Sequence, residues 1–266
     1  MSRPTGTTTW LDLGSTDLRA TQAFYTELFG WEFEDAGEAY HHYHTVRNGG
    51  ALVAGAMDVS GMTCPDGQPL LSEWSVFLAV DDIDARVDRA LAAGAHVIVP
   101  ATDAGQAGRQ AVLLDPAGNP VGLWQAGQTE GYEFTAAPGS PVWFEVMTHD
   151  FDAAARFYTE VLDAELVPMT EEMEDDSFRY VTNGAQDTAT WGLGDATGVM
   201  PEGEGGWRIY FAVEACDAAV ERIRELGGSL LDGPIDSPFG RIATVADPTG
   251  ASFQICAMRE STPEGS

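Results

Sequence analysis

Thr16–Phe33 reads TDLRATQAFYTELFGWEF, and His149–Leu166 reads HDFDAAARFYTEVLDAEL. The two stretches align without a gap, Phe24-Tyr25-Thr26 over Phe157-Tyr158-Thr159, at an offset of 133 residues. The same offset carries Phe77–Ala85 (FLAVDDIDA) onto Tyr210–Ala218 (YFAVEACDA). GRQAVLLDPAG (Gly108–Gly118) returns as GRIATVADPTG (Gly240–Gly250) at an offset of 132, one residue having been lost before Arg241. Three blocks in the same order at a nearly constant shift mean duplication of a whole domain, since the period is too long for a solenoid repeat. The expected domains are residues 8–128 and 141–258. Between them, residues 129–140 are rich in Gly, Pro and small polar side chains and read as a linker.

Each half divides again. TWLDLG is a short strand, followed by a helix with Thr16 or Asp17 as N-cap and Leu18, Phe24 and Leu28 near helical spacing. YHHYHTVRN and ALVAGAMDV then read as two strands joined across Asn48-Gly49-Gly50, a hairpin signal. The next quarter repeats the order: SEWSVFLAV, a helix stopping at Gly94, then AHVIVP, RQAVLLD and PVGLWQ. The unit is strand, helix, three strands, four times over.

Composition narrows the function. With 44% hydrophobic and 21% charged residues, and no apolar run near the ~20 residues of a membrane span, the chain reads as soluble and globular. MSRPTGTTTW lacks the apolar core of a signal peptide, so the cytoplasm is the expected location. A net charge of -29 repels phosphate backbones and anionic lipids, which excludes nucleic acid and membrane as expected partners. All 13 basic residues are Arg, so no lysine Schiff base can form. Cys64, Cys216 and Cys256 are too scattered for a disulfide framework or a CxxC metal knuckle, and the latter two are expected to be buried.

The order of elements, with the FYT helix and the DPxG turn before a final strand, resembles the vicinal oxygen chelate superfamily. That superfamily includes glyoxalase I, extradiol dioxygenases, and fosfomycin and bleomycin resistance proteins. The G-R…D-P-x-G pattern of both halves, with Gly122-Leu123-Trp124-Gln125, is similar to an actinobacterial branch of two-domain glyoxalase-like proteins. The resemblance implies an α+β fold of four βαβββ modules forming two glyoxalase-like domains with cupped mixed sheets. It also implies metal ligands near the first and last strands of the modules. At the implied ligand positions stand Trp10, Ser75 and Gly122 in the first half, and Trp143, Arg208 and Gln254 in the second. Indole, hydroxyl, guanidinium and a bare glycine are poor partners for a divalent cation. No metal and no other cofactor is therefore expected. A rival metal site is weighed at His42 and His44, which would share one face of a strand with a carboxylate such as Asp12 completing the set.

Strand alternation places Trp10, Asp12, Phe77 and Trp124 on the concave face of the first half. In the second half it places Trp143, Glu145, Arg208, Tyr210 and Gln254 there. An aromatic-lined cup with a few polar groups suits a small molecule. Gly122 is expected to leave space beside Trp124, where a planar aromatic compound would stack against Trp10. The alternative is that the tryptophans simply fill the cups.

Two function classes follow. One is a metal-free lyase, isomerase or hydrolase-like enzyme with Asp12 or Glu145 as general base, since burial among aromatic rings raises a carboxylate's pKa. Arg208 or Tyr210 would then stabilise oxyanion charge. The other is an antibiotic-sequestering binding protein without catalysis, holding an aromatic or polyketide-like metabolite. The first cup is expected to take neutral aromatic ligands and the second polar or anionic ones. A monomer or homodimer is expected.

Overall fold

The computed structural model describes residues 3–64, 67–135, 137–169, 178–185 and 187–258. The first half runs β1 (Thr8–Ser15), α1 (Leu18–Phe29), β2 (Glu32–Asp35), β3 (His44–Asn48), β4 (Ala51–Asp58), β5 (Glu73–Ala79), α2 (Ile83–Ala92), β6 (His96–Asp103), β7 (Gly108–Leu114) and β8 (Pro120–Ala126). The second half repeats it as β9 (Pro141–Thr148), α3 (Phe151–Leu162), β10 (Val167–Pro168), β11 (Tyr180–Thr182), β12 (Gly192–Asp195), β13 (Gly206–Ala212), α4 (Cys216–Glu225), β14 (Ser229–Ser237), β15 (Gly240–Ala246) and β16 (Ser252–Met258). The expected βαβββ unit thus occurs four times.

Local chemistry sets the helix ends. Asp17 accepts the Ala20 amide at 3.0 Å and Asp150 the Ala153 amide at 3.1 Å, satisfying donors that a first helical turn leaves open. Gly30 ends α1 in the left-handed region at φ 73°, its amide bonded to Thr26 O. The counterpart on α3 is Asp163, left-handed at φ 54° without being glycine. Its carboxylate takes Arg86 at 2.6 Å and Arg89 at 3.1 Å from the other half, contacts that offset the backbone cost.

The two sheets have eight strands each, in the orders β2-β3-β4-β1-β5-β8-β7-β6 and β10-β11-β12-β9-β13-β16-β15-β14. In each, two modules meet at a central antiparallel pair, β1 with β5 and β9 with β13, flanked by parallel pairs. Leu11, Leu13, Val76, Leu78 and Leu123, with Phe144, Val146, Ile209 and Phe211, point to the helix side of the sheets. The halves share one core: a continuous apolar cluster holds residues of all four helices and both sheets. Rings cross the boundary, Trp31 to Phe211 at 5.3 Å and Tyr25 to Phe253 at 5.5 Å. Buried polar bonds cross it too, from Arg86 Nη1 to Val161 O at 2.7 Å and from the Tyr158 hydroxyl to Asp115 at 3.3 Å.

The segment of linker composition is strapped down. The Tyr132 amide donates to Thr9 O at 2.8 Å, Leu52 N donates to Glu133 Oε2 at 2.7 Å, and the Tyr132 ring packs 5.7 Å from that of Phe144. Cys216 and Cys256 are buried as expected, and all three cysteines are free. Among the described residues no helix is long and apolar enough to cross a membrane.

Candidate functional site

The opposite sheet faces form the two cups, and the strand registers bring the expected residues together. Trp10 and Asp12 of β1 lie across from Phe77 and Ser75 of β5; Trp143 and Glu145 of β9 lie across from Tyr210 and Arg208 of β13. Gly122 on β8 pairs with Phe77, and Gln254 on β16 with Tyr210. Trp10, Phe77 and Trp124 form an apolar cluster separate from the shared core.

That cluster closes the first cup. The three side chains are 5%, 3% and 6% exposed, and the Trp10 and Trp124 rings lie 6.5 Å apart with 24° between their planes. This separation is that of a direct offset stack and leaves no room for a third ring between them. The space expected beside Gly122 is taken by the Phe77 ring, which a Cβ at position 122 would overlap. The glycine is there to receive a neighbouring side chain rather than a ligand.

Asp12 sits part-buried at the edge of this cluster. Its Oδ1 accepts the Trp10 indole N–H at 3.1 Å and the hydroxyl of Tyr43, and the same indole N–H reaches the Tyr43 hydroxyl at 2.9 Å. Loss of hydration holds the Asp12 carboxyl above its ordinary pKa, partly opposed by the bonds from Tyr43 and Trp10. Burial, and then the Asp12 charge, push the Tyr43 phenol well up, so its hydroxyl stays protonated and donates.

The second cup has the same frame with different contents. Trp143 Nε1 donates to the Tyr180 hydroxyl at 3.0 Å, and Tyr180 donates to Glu145 Oε2 at 3.1 Å. The Tyr210 hydroxyl donates to Glu145 Oε1 at 2.7 Å, and Arg208 Nη1 lies 3.6 Å from the same oxygen. Burial, then the Glu145 charge, push both phenols well up. Where the first cup has Trp124 against Ala79, the second has Cys256 against Ala212, so no indole closes the floor. Gln254 is 4% exposed, and its Oε1 has no hydrogen-bond partner among the described residues. In this cup the Arg208 guanidinium has the Glu145 carboxylate beside it, so the positive charge is locally offset.

Tyr43 and Tyr180 escaped the sequence reading. Their one signal was the glycine facing each: a Cβ on Gly55 of β4 or Gly192 of β12 would overlap the tyrosine hydroxyl. That pairing depends on cross-strand register, which a single sequence does not display.

The His42–His44 metal reading fails on backbone geometry. A 3₁₀ turn at Glu38–Tyr40 precedes His41 and His42, both left-handed at φ 54° and 56°, and β3 begins only at His44. His42 is exposed and its Nδ1 lies 2.9 Å from Asp35 Oδ2, while Tyr43, between the histidines, is the side chain that reaches Asp12. Among the described residues no three His, Cys, Asp or Glu side chains converge on one point. The positions at which the resemblance implies ligands do not fit a cation either: in the second cup a guanidinium already supplies the positive charge beside Glu145. Two surface clefts lie outside both cups, one of about 530 Å³ along the strap and one of about 260 Å³ beside Asn119 and His149.

Comparison with known proteins bears on both halves. Residues 140–255 match the family described as the Glyoxalase/Bleomycin resistance protein/Dioxygenase superfamily, and residues 8–124 match the Glyoxalase-like domain. The chain is 36% identical over 255 residues to "Putative glyoxylase CFP32" of Mycobacterium bovis, covering 94% of each. It is 37% identical over 277 residues to the anthracycline biosynthesis protein DnrV of Streptomyces peucetius, covering 97% of this chain and 95% of that one. In fold it is similar to the Mn(II)-bound glyoxalase of Novosphingobium aromaticivorans, with a TM-score of 0.62 at 14% identity over 97% of this chain and 84% of the other.

Proposed function

The chain belongs to the glyoxalase/bleomycin resistance protein/dioxygenase superfamily, and from that premise we propose that it binds an aromatic, polyketide-like metabolite in its second cup, without a resident metal. The observation that carries this reading is the exchange of Trp124 for Cys256. It leaves the second cup without the indole that fills the first, above a floor bearing Glu145, Arg208, Tyr210 and Gln254. Trp143 and the stacked Phe178 and Tyr180 rings, 6.0 Å apart, supply apolar surface for a flat ligand. The relationship to a protein named for anthracycline biosynthesis supports the choice of ligand class.

The test is titration of the full chain with 6-hydroxy-1-tetralone, an aromatic hydroxy-ketone, followed by tryptophan fluorescence. Saturable quenching that Cys256→Trp abolishes is the expected result. Quenching that survives in that variant would place the ligand elsewhere and defeat the reading.

A second reading assigns Asp12 as a general base in the first cup, favoured by its burial-raised pKa. It requires the Trp10–Trp124 stack to part. Asp12→Asn would then abolish turnover in an otherwise folded protein; undiminished turnover would remove Asp12 from the chemistry.

A further inference from the structure

The hydrogen-bonding ledger of the second cup does not close, and the open positions describe a ligand. Glu145 is satisfied, with Tyr180 on one oxygen and Tyr210 on the other. Tyr180 is committed as well, donating to Glu145 and accepting from Trp143. Arg208 is not. Its guanidinium carries five N–H donors, yet among the described residues its contacts are the Tyr210 hydroxyl, Glu145 at 3.6 Å, beyond a hydrogen bond, and the weak acceptor Met200 Sδ at 3.3 Å. Its side chain is 27% exposed. Gln254 has the complementary deficit, a buried carbonyl oxygen with no donor among the described residues. A buried acceptor left unpaired is costly, so a ligand hydroxyl that reaches it is bound selectively over an ether that cannot donate.

Arg208 and Gln254 stand on neighbouring strands of one cup, since Tyr210, two residues on from Arg208, pairs with Gln254. Strand spacing and rise put their Cα atoms roughly 8 Å apart, a separation that a rigid bicyclic frame can bridge. Charge completes the description. Glu145 balances Arg208 within the cup, and the chain as a whole carries -29, so an anion gains little there.

Resting on the second-cup reading above, we propose that the cup selects neutral hydroxy-carbonyl compounds, a carbonyl oxygen accepting from Arg208 and a separate hydroxyl donating to Gln254. Arg208 and Gln254 are the specificity-determining residues, and Glu145 holds Arg208 and Tyr210 in place.

The test compares four probes on the full chain by calorimetric titration. These are 6-hydroxy-1-tetralone, its methyl ether, 5,6,7,8-tetrahydro-2-naphthol, which lacks the ketone, and 2-naphthoate, which is anionic. The hydroxy-ketone is expected to bind about tenfold or more tightly than each of the others. Gln254→Met should erase the advantage of hydroxyl over methyl ether and keep that of the ketone. Arg208→Met should do the reverse, with Glu145→Gln added if thermal melting shows the single variant destabilised. Equal affinity for hydroxy-ketone and methyl ether, tighter binding of naphthoate, or variants that weaken every probe alike would overturn the assignment while leaving the cup as the ligand site. If no probe binds the unaltered protein, the second-cup reading itself falls and takes this one with it.

Discussion

Gly55→Ala tests whether the carboxylate of the first cup is held by a tyrosine that only a glycine can admit. The added methyl would overlap the Tyr43 hydroxyl and come within 2.5 Å of Asp12 Oδ1, so the ring must move. Overpacking of this kind costs about 1–3 kcal/mol. Displacing Tyr43 also breaks its hydrogen bond to a carboxylate, worth about 1.5–3 kcal/mol when the acceptor is charged. Against this, replacing a strand glycine by alanine recovers about 0.5–1 kcal/mol of chain entropy. The net loss is about 2–3 kcal/mol once partial relaxation is allowed. At 2–4 °C per kcal/mol for a chain near this size, the melting temperature should fall by about 5–10 °C. Calorimetry at neutral pH reads this directly. The control is the same substitution in a Tyr43→Val background, where the obstacle is gone and alanine should be neutral or slightly stabilising. A Gly55→Ala protein that melts at or above the parent, or a penalty of the same size with and without Tyr43, would refute the reasoning.

Three further outcomes follow from the charges. The folded pKa of Asp12 is raised by burial, so its favourable contribution is full below the ordinary value of 3.8 and is lost as pH rises through the folded pKa. Asp12→Asn keeps Oδ1 as acceptor for Trp10 and Tyr43, and should therefore raise the melting temperature at pH 7 but not at pH 3; equal gains at both would show that desolvation is not the cause. Asp81 is the opposite case, lowered to about 2 chiefly by its hydrogen bond to Arg86, so its contribution is present above pH 3.8 and is lost as pH falls through about 2. Asp81→Asn should flatten the acid limb of stability in that window, and an unchanged limb would place the titration elsewhere. Elemental analysis of the purified protein should find no stoichiometric divalent metal, and chelator should leave the melting temperature unmoved; one metal per chain, lost in Glu145→Gln, would contradict the reading of the donor set.

The sequence by itself determined the duplication, the βαβββ order and the face on which each strand residue lies. These follow from patterns local to the chain: a 133-residue offset, helical and strand periodicities, Asp and Gly at helix ends, and Asn48-Gly49-Gly50 at a hairpin. Alternation was enough to put Trp10 with Asp12, and Trp143 with Glu145, because a strand leaves its side chains only two directions. Tertiary structure decided what each side chain in the cups meets. Gly122 looked like empty space until the register laid Phe77 over it, and the difference between the cups lies in Trp124 and Cys256, whose meaning depends on which neighbours reach them. Tyr43 and Tyr180 became visible only when the sheet set them against Gly55 and Gly192, and His42 left the strand because a 3₁₀ turn intervened. Periodicity records the direction in which a side chain points. Whether that direction ends in a ligand, a ring or a hydroxyl depends on pairing between distant strands, and that pairing is settled by the packing of the whole molecule.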